Sequence, residues 1–140
     1  MSKDWVQDIS DMHHKFGVNK WMTGQIIDGK KDNLMEYLQF RIAFLYEELK
    51  ETEKAYVTRN PEEIVDGLID LCVVAIGTMD AFGIDAHKAW DRVHEANMSK
   101  QVGVKESRPN PLGLPDLIKP AGWKAPNHTD NHGYIPHTFK

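Results

Sequence analysis

The sequence contains a single cysteine, Cys72, and no excess of positive charge. One thiol cannot form an intrachain disulfide, so the fold does not depend on an oxidising compartment, and we expect Cys72 to serve as a small buried apolar side chain. The 17 Lys and Arg residues are outnumbered by 21 Asp and Glu, which gives a formal net charge of −4. Binding to nucleic acid without sequence preference needs clustered Lys and Arg, so we expect no nucleic acid partner.

Long hydrophobic runs are also absent. The longest, from Leu68 to Phe82, is interrupted by two Asp, a Gly and a Thr, and is too short and too polar to cross a bilayer. The opening MSKDWVQDIS lacks the apolar segment of a signal peptide. From these two features we expect a cytoplasmic protein with no membrane partner.

Several signatures of enzymes and of β-structure are missing. The sequence has no Walker loop, no GxGxxG fingerprint and no candidate Ser-His-Asp or Cys-His arrangement. Alternating β-branched runs, which indicate strands, are absent as well. The expected fold class is therefore all-α.

Apolar residues at helical spacing predict a bundle of four main helices. These cover about residues 4–16, 34–57, 61–82 and 86–100, and a loop is expected over 18–33. Asn60 and Asp85 are typical N-caps, Pro61 suits the first helical position, and Gly83 ends the third helix. The third helix is apolar almost all round beyond its first two turns, so it should be the central helix.

The chain changes character after Lys100. Residues 103–136 hold six of the seven prolines and four of the ten glycines, which argues against regular structure there. The same stretch has too many large apolar residues, such as Trp123 and Ile135, for a disordered tail. We expect a helical domain over residues 1–102 and an extended arm over 103–140 that packs on this domain or on a neighbouring subunit.

Acidic residues occupy two helix faces that should be buried. The second predicted helix carries Glu47, Glu48 and Glu51 beside its apolar stripe, and the third carries Glu63, Asp66 and Asp70 on one face. The loop over 58–60 is short, so the two helices should form an antiparallel hairpin. We expect the hairpin to bring Glu48 and Glu51 level with Glu63 and Asp66.

Carboxylates that converge in a low-dielectric place repel one another and are costly to desolvate. Either acidic half alone has an ordinary explanation, since acids often lie on solvated helix faces or at helix N-termini. The two halves together predict a metal site, and the expected ligands are Glu48, Glu51, Glu63 and Asp66, with Asp70 as a further ligand or as an acceptor that orients one. Mg²⁺, with Mn²⁺ as a substitute, suits these oxygen ligands, and no EF-hand loop for Ca²⁺ is present.

Four sequence stretches carry a family resemblance. An ExxE motif (Glu48–Glu51) precedes an ExxD motif (Glu63–Asp66), and these are followed by AFGID (Ala81–Asp85) and VHEANMSK (Val93–Lys100). In combination they resemble the MazG-like all-α nucleoside triphosphate pyrophosphohydrolases, a superfamily that includes dimeric dUTPases and phosphoribosyl-ATP pyrophosphohydrolase.

Two further stretches, HHKFGV and GWKAP, resemble a phage-type and bacterial branch of that superfamily, whose phage-encoded members would act in the host cytoplasm. The sequence departs from the family pattern in two places. Only eleven residues separate Glu51 from Glu63, and the PNPLGLPDLIKP segment replaces a shorter linker.

The resemblance implies hydrolysis of nucleoside or deoxynucleoside triphosphates to monophosphate and pyrophosphate. Mg²⁺ would neutralise the phosphates and activate a water that Glu47 or Glu48 orients as general base. Asn97 and Lys100 match the positions at which an Asn and a Lys reach the substrate phosphates.

Two residues outside these motifs are weaker candidates for substrate binding. Trp21 is a candidate to stack on the base and Lys124 to contact a phosphate, although packing and solvation are the commoner roles of such residues.

Two other functions stay open. One is the same chemistry on phosphoribosyl-ATP, and the other is a non-catalytic helical module that binds a nucleotide or a protein. A pure binding module needs neither acidic motif, so two complete motifs favour catalysis. The broad apolar surface of the second and third helices also predicts an obligate homodimer, or a homotetramer of paired dimers, with the active site near the subunit contact.

Overall fold

The computed structural model describes residues 3–139. In chain order the elements are α1 (Trp5–Lys15), α2 (Val18–Ile27), α3 (Lys31–Val57), α4 (Pro61–Ala81), α5 (Ala86–Met98), β1 (Gln101–Gly103), β2 (Asp116–Ile118) and a 3₁₀ turn (Ile135–Thr138). The all-α prediction is confirmed, because helices dominate and the sheet has only two strands of three residues each.

The sequence prediction is wrong over residues 18–33, where a loop was expected. Gly17, with a φ of 80°, ends α1 and starts α2, so the chain turns there and re-enters a helix at once. Gly24 lies inside α2 rather than in a loop, and α3 begins at Lys31, three residues before the predicted start. α2 thus accommodates Gly24 within its length.

Strands and a 3₁₀ turn also form where no regular structure was expected. β1 pairs antiparallel with β2, and Val102 faces Leu117 in the register. Strands this short leave no alternating sequence pattern to detect. Close to the C-terminal end, Ile135–Thr138 forms the 3₁₀ turn with Pro136 in its first positions, where a missing N–H costs nothing.

The chain divides into two compact units. The first comprises the chain up to Ala86 together with the residues from Asn131 onward, and the second is His87–Asp130. Neither division falls at residue 102, where the composition changes. Within residues 3–139 no single helix is long and apolar enough to span a membrane, although the consecutive helices α4 and α5 taken together meet those criteria by length and composition.

The apolar core of the first unit lies where α2, α3 and the C-terminal end of α4 meet. Met22, Leu34, Ala81 and Phe82 are buried there. The Tyr37 ring extends the core outward, with its centroid 5.9 Å from that of Phe82. This cluster fixes one end of the α3–α4 pair and leaves the hairpin end free for polar residues.

A polar seam continues from this core along α4. Arg41 donates from Nε to Thr78 Oγ1 at 3.0 Å and from Nη2 to the Val74 carbonyl at 2.9 Å. His13 on α1 is buried, and its Nδ1 lies 2.9 Å from Asp80 Oδ2. Buried polar groups are costly without partners, so these contacts hold α1 and α3 in one register on α4.

The turn between α3 and α4 has the predicted helix-start signals. Asn60 accepts a hydrogen bond from the Glu63 N–H at 3.2 Å, and Pro61 is the first residue of α4. Arg59 takes a φ of 56°, the left-handed conformation that commonly ends a helix. Three residues suffice to reverse the chain, so α3 and α4 lie antiparallel as predicted.

The end of the arm is tied to the C-terminal end of α4. Asn131 accepts from the Asp85 N–H at 2.9 Å and donates to the Asp85 carbonyl at 2.8 Å. The Tyr134 N–H donates to the Phe82 carbonyl at 2.6 Å. Gly133, with a φ of 54°, passes so close that a Cβ there would overlap the Phe82 carbonyl oxygen.

In the second unit, the segment that follows β2 is anchored to α5. Trp123 Nε1 donates to the Ala96 carbonyl at 2.8 Å. Asp130 accepts from Arg92 and from Lys88, and these hydrogen bonds lower the pKa of its carboxyl group. Prolines and glycines therefore coexist with an ordered course of the chain.

Replacing Gly133 by Ala should destabilise the protein more than replacing Gly29 by Ala. Both glycines have positive φ, but nothing lies within 4 Å of a Cβ at Gly29. Gly29→Ala should therefore cost only the backbone term, about 1 kcal/mol, whereas Gly133→Ala adds the clash with Phe82. Thermal unfolding followed by circular dichroism measures both. Equal losses would mean that the Gly133 contact does not hold the arm.

Candidate functional site

Glu48 is the charged residue that α3 buries. Its exposed fraction is 9%, and its Oε2 atom is buried with no hydrogen-bond partner in the part of the chain that the structure describes. The backbone carbonyl of Glu48 is satisfied, since it accepts from Thr52 Oγ1 at 2.8 Å. A buried carboxylate oxygen without a partner is rare, because its desolvation is not compensated.

The register of the hairpin decides which acids surround Glu48. Thr52 lies opposite Gly67, and Arg41 lies opposite Val74. Glu48 therefore falls level with Asp70, which lies about one helical turn beyond Asp66 and about two turns beyond Glu63 along α4. The observed register is thus shifted by more than one turn from our expectation that Glu48 and Glu51 are level with Glu63 and Asp66.

Four neighbouring carboxylates act on Glu48. Burial is the largest cause that raises the pKa of the Glu48 carboxyl. The charges of four carboxylates raise this pKa further, and in decreasing size of effect they are Asp70, Glu51, Glu47 and Asp66. Both causes disfavour the ionised form. Five of the six acids predicted for the site are thus electrostatically coupled, and Asp70 makes the largest charge contribution.

Glu63 lies at the start of α4, where its side chain is exposed and its N–H is capped by Asn60. This position favours an acid through the helix dipole alone. A role for Glu63 as a metal ligand stays a prediction.

A cation fits this cluster by chemistry. The donors are hard carboxylate oxygens, and one of them, Glu48 Oε2, has no hydrogen-bond partner within residues 3–139. Across residues 3–139, no three acidic, imidazole or thiol side chains are already drawn together closely enough to hold an ion. Carboxylates that repel one another stay apart until a cation offsets their charge.

Gly67 is a site residue that the sequence reasoning overlooked. A Cβ at this position would overlap the Thr52 hydroxyl, so glycine lets α3 and α4 approach closely beside the acids. The signal was available, because glycine inside an otherwise apolar helix commonly marks a close approach.

The remaining predicted residues fall in different places. Trp21 lies in α2 rather than in a loop, and its ring centroid is 5.2 Å from that of Tyr37, at the core of the first unit. Asn97 is exposed in the last turn of α5, and the Lys100 ammonium lies 5.3 Å from the Trp123 ring centroid. Lys124 lines a cavity of about 1050 Å³ between α5 and the following segment of the second unit.

Comparison with known proteins yields one family. The sequence model of the family described as phosphoribosyl-ATP pyrophosphohydrolase matches residues 25–97, slightly more than half of the chain. The match includes both acidic motifs and ends at Asn97, whereas Trp21, Lys100 and Lys124 lie outside it. No curated protein matches the chain.

Neutralising Glu48 should relieve repulsion in the metal-free protein. Because the pKa of Glu48 is raised in the folded state, the free energy of unfolding falls as pH rises from the unfolded pKa, about 4.3, through the folded pKa. Below the unfolded pKa, Glu48 causes no such loss of stability. The melting temperature of Glu48→Gln minus that of wild type, measured in chelator, should therefore grow as pH rises from 4 towards 8.

The matched control is Glu53→Gln, which changes an exposed acid on the same helix. Added Mg²⁺ should stabilise wild type and Glu53→Gln by mass action, and should stabilise Glu48→Gln much less. A flat profile for Glu48→Gln, or an equal response to Mg²⁺, would contradict the assignment of Glu48 to a metal site.

Proposed function

This chain belongs to the phosphoribosyl-ATP pyrophosphohydrolase family of the MazG-like all-α superfamily, and we propose that it is a Mg²⁺-dependent hydrolase of nucleoside or deoxynucleoside triphosphates. Family membership makes the protein a pyrophosphohydrolase in general. The proposal adds the substrate class, the products and the metal: a monophosphate and pyrophosphate are released, and Mg²⁺ is the ion, for which Mn²⁺ can substitute.

The observation that carries the proposal is the buried oxygen of Glu48, which lies among four other carboxylates and has no hydrogen-bond partner in the described part of the chain. A structural ion pair does not account for it, because none of the described Lys, Arg or His side chains forms a salt bridge with Glu48. A buried charge without a partner destabilises a protein, so a second requirement must maintain it. Binding a hard cation is the requirement that this donor set meets.

The proposed metal ligands are Glu48, Glu51, Asp66 and Asp70, with Glu63 as a further ligand from the start of α4. When bound, Mg²⁺ would supply charge neutralisation for the phosphates and a water of lowered pKa. Asp70 enters as a ligand on the strength of its position level with Glu48.

Protein groups provide the remaining steps. Glu47 is exposed one residue from Glu48, so it is free to accept a proton from the attacking water, and Glu48 is the other candidate base. Asn97 and Lys100 would bind and stabilise the departing pyrophosphate. Trp21 would stack on the base, and Lys124 would contact a phosphate.

Phosphoribosyl-ATP is the second candidate substrate, and the family match favours it. The same phosphate bond is broken in both substrates, because both reactions release pyrophosphate. The two candidates differ only in what the sugar and base side of the pocket accepts, so substrate comparison separates them.

An outward apolar face on α4 supports a homodimer, or a homotetramer of paired dimers. Val65, Leu68 and Ile69 are 63%, 53% and 44% exposed, although the opposite face of the same helix is packed on α3. α3 adds Ile42 and Leu49, which are also about half exposed. An apolar patch of this extent marks a protein contact, and a second copy of the chain is the partner we propose.

Purified protein with Mg²⁺ should convert at least one nucleotide to monophosphate and pyrophosphate, with no orthophosphate. Glu48→Gln should lower kcat/KM by about 100-fold or more, since loss of a metal ligand should exceed the 10–100-fold effect of outer-shell changes. Glu53→Gln should retain activity. The assay compares the common triphosphates and phosphoribosyl-ATP, with pyrophosphate resolved from orthophosphate.

Orthophosphate as the product, or full turnover by Glu48→Gln, would refute this mechanism. No turnover of any nucleotide with Mg²⁺ or Mn²⁺ would instead favour a non-catalytic helical module.

Leu68→Glu should convert the oligomer to a monomer, because a buried unpaired carboxylate in the contact costs several kcal/mol. The matched control is Ala43→Glu, which adds the same charge at an exposed position on α3, away from the Ile42–Leu49 side. Light scattering after size-exclusion chromatography measures the mass of each. A monomeric wild type, or an oligomer in both variants, would remove α4 from the interface.

A further inference from the structure

Two lysines of the second unit share one aromatic ring. The Lys100 and Lys119 ammonium groups lie 5.3 Å and 5.1 Å from the centroid of the Trp123 ring. The ladder register pairs Gln101 with Ile118, so Lys100 and Lys119 are the next pair of residues beyond it. Two positive charges are thus placed opposite each other just beyond the paired ends of β1 and β2, beside the same indole.

Repulsion between the two ammonium groups destabilises this arrangement unless an anion binds to them. Like charges directly across a strand pair destabilise it. Within residues 3–139, neither lysine forms a salt bridge with a carboxylate. The negative dipole end of α5 favours one cation just beyond Met98, which explains Lys100, but no helix end explains Lys119. The indole face attracts both ammonium groups without neutralising them.

The ring itself is held in a fixed position. Trp123 Nε1 donates to the Ala96 carbonyl at 2.8 Å, and the same carbonyl accepts from Ser99 Oγ at 2.7 Å. The indole is therefore tied to the last turn of α5. Two ammonium groups held over a fixed ring form a preorganised site for an anion with two neighbouring charged groups.

We propose that Lys100, Lys119 and Trp123 form a lysine clamp that binds two adjacent phosphate groups of an oligophosphate. Lys119 is a phosphate-binding residue, and Trp123 is a positioning residue that holds both ammonium groups without contacting the phosphates. Each ammonium offers three donors, and hydrogen bonds between charged groups are the strong ones. The proposal rests on the proposed function for the source of the ligand, which is the phosphate tail of the nucleotide or the released pyrophosphate.

Calorimetric titration of the full-length protein with inorganic pyrophosphate, in chelator, tests the clamp apart from any metal. Lys119→Gln should weaken binding roughly tenfold and should flatten its dependence on salt, because one charge contact is lost. Lys119→Arg should restore both. Trp123→Leu should weaken binding, and Trp123→Phe should weaken it less, since phenylalanine retains an aromatic face but loses the hydrogen bond to the Ala96 carbonyl.

Lys105→Gln is the matched control, because it removes one positive charge from the same unit without touching the ring. If Lys119→Gln binds pyrophosphate as Lys105→Gln does, with the same salt dependence, the clamp is refuted. Lys119 is exposed, so its substitution leaves folding intact and the result interpretable.

A second titration with a non-hydrolysable α,β-methylene triphosphate identifies the source of the ligand. Equal weakening for both ligands supports a clamp on the nucleotide's phosphate tail, and weakening for pyrophosphate alone supports a clamp on the released product. The product assay is independent of these titrations. If the protein releases no pyrophosphate from nucleotides, but Lys119→Gln still weakens pyrophosphate binding, the proposed enzyme activity is refuted and the lysine clamp is retained.

Discussion

The close contact between α3 and α4 buries apolar side chains at one end of the helix pair and a carboxylate at the other. At one end Phe82, Leu34 and Met22 are buried, and Arg41 binds Thr78 and Val74. At the other end the same two helices enclose Glu48, which has an oxygen without a hydrogen-bond partner among the described residues. The well-satisfied end supplies the packing that keeps the acidic end in place, because carboxylates left to themselves would move apart into water.

Gly67 shows how this is achieved locally. Without a side chain at that position, α3 and α4 approach until Thr52 fills the space, and Thr52 then bonds back to the Glu48 carbonyl. Glu48 is therefore held in a buried position rather than on a solvated helix face. Its geometry follows from a glycine and a threonine that bear no charge, and this explains why the acids alone do not define the site.

The sequence predicted the features that depend on local signals. Asn60 and Pro61 begin α4, the apolar periodicity of α3 is evident, and the short turn makes the hairpin antiparallel. The register could not be predicted in this way, because turn length fixes direction, whereas the contact between Thr52 and Gly67 fixes which residues are level. α2 was not predicted because glycine usually interrupts helices, although a helix accommodates a residue such as Gly24 at a modest cost in stability. The two strands and the anchoring of Asn131 depend on tertiary contacts that leave no periodic pattern.

α4 connects the site to assembly. The exposed Asp66 and the half-buried Asp70 lie near Glu48, and Val65, Leu68 and Ile69 form an exposed apolar face of the same helix. α4 is therefore not fully satisfied within one chain: its acids require a cation, and its apolar face requires another apolar surface. Covering the apolar face would restrict the motion of α4, and with it the two aspartates. Association would then preorganise the acids for the metal, so we expect the monomeric form to bind the cation more weakly even though each chain holds its own acidic cluster.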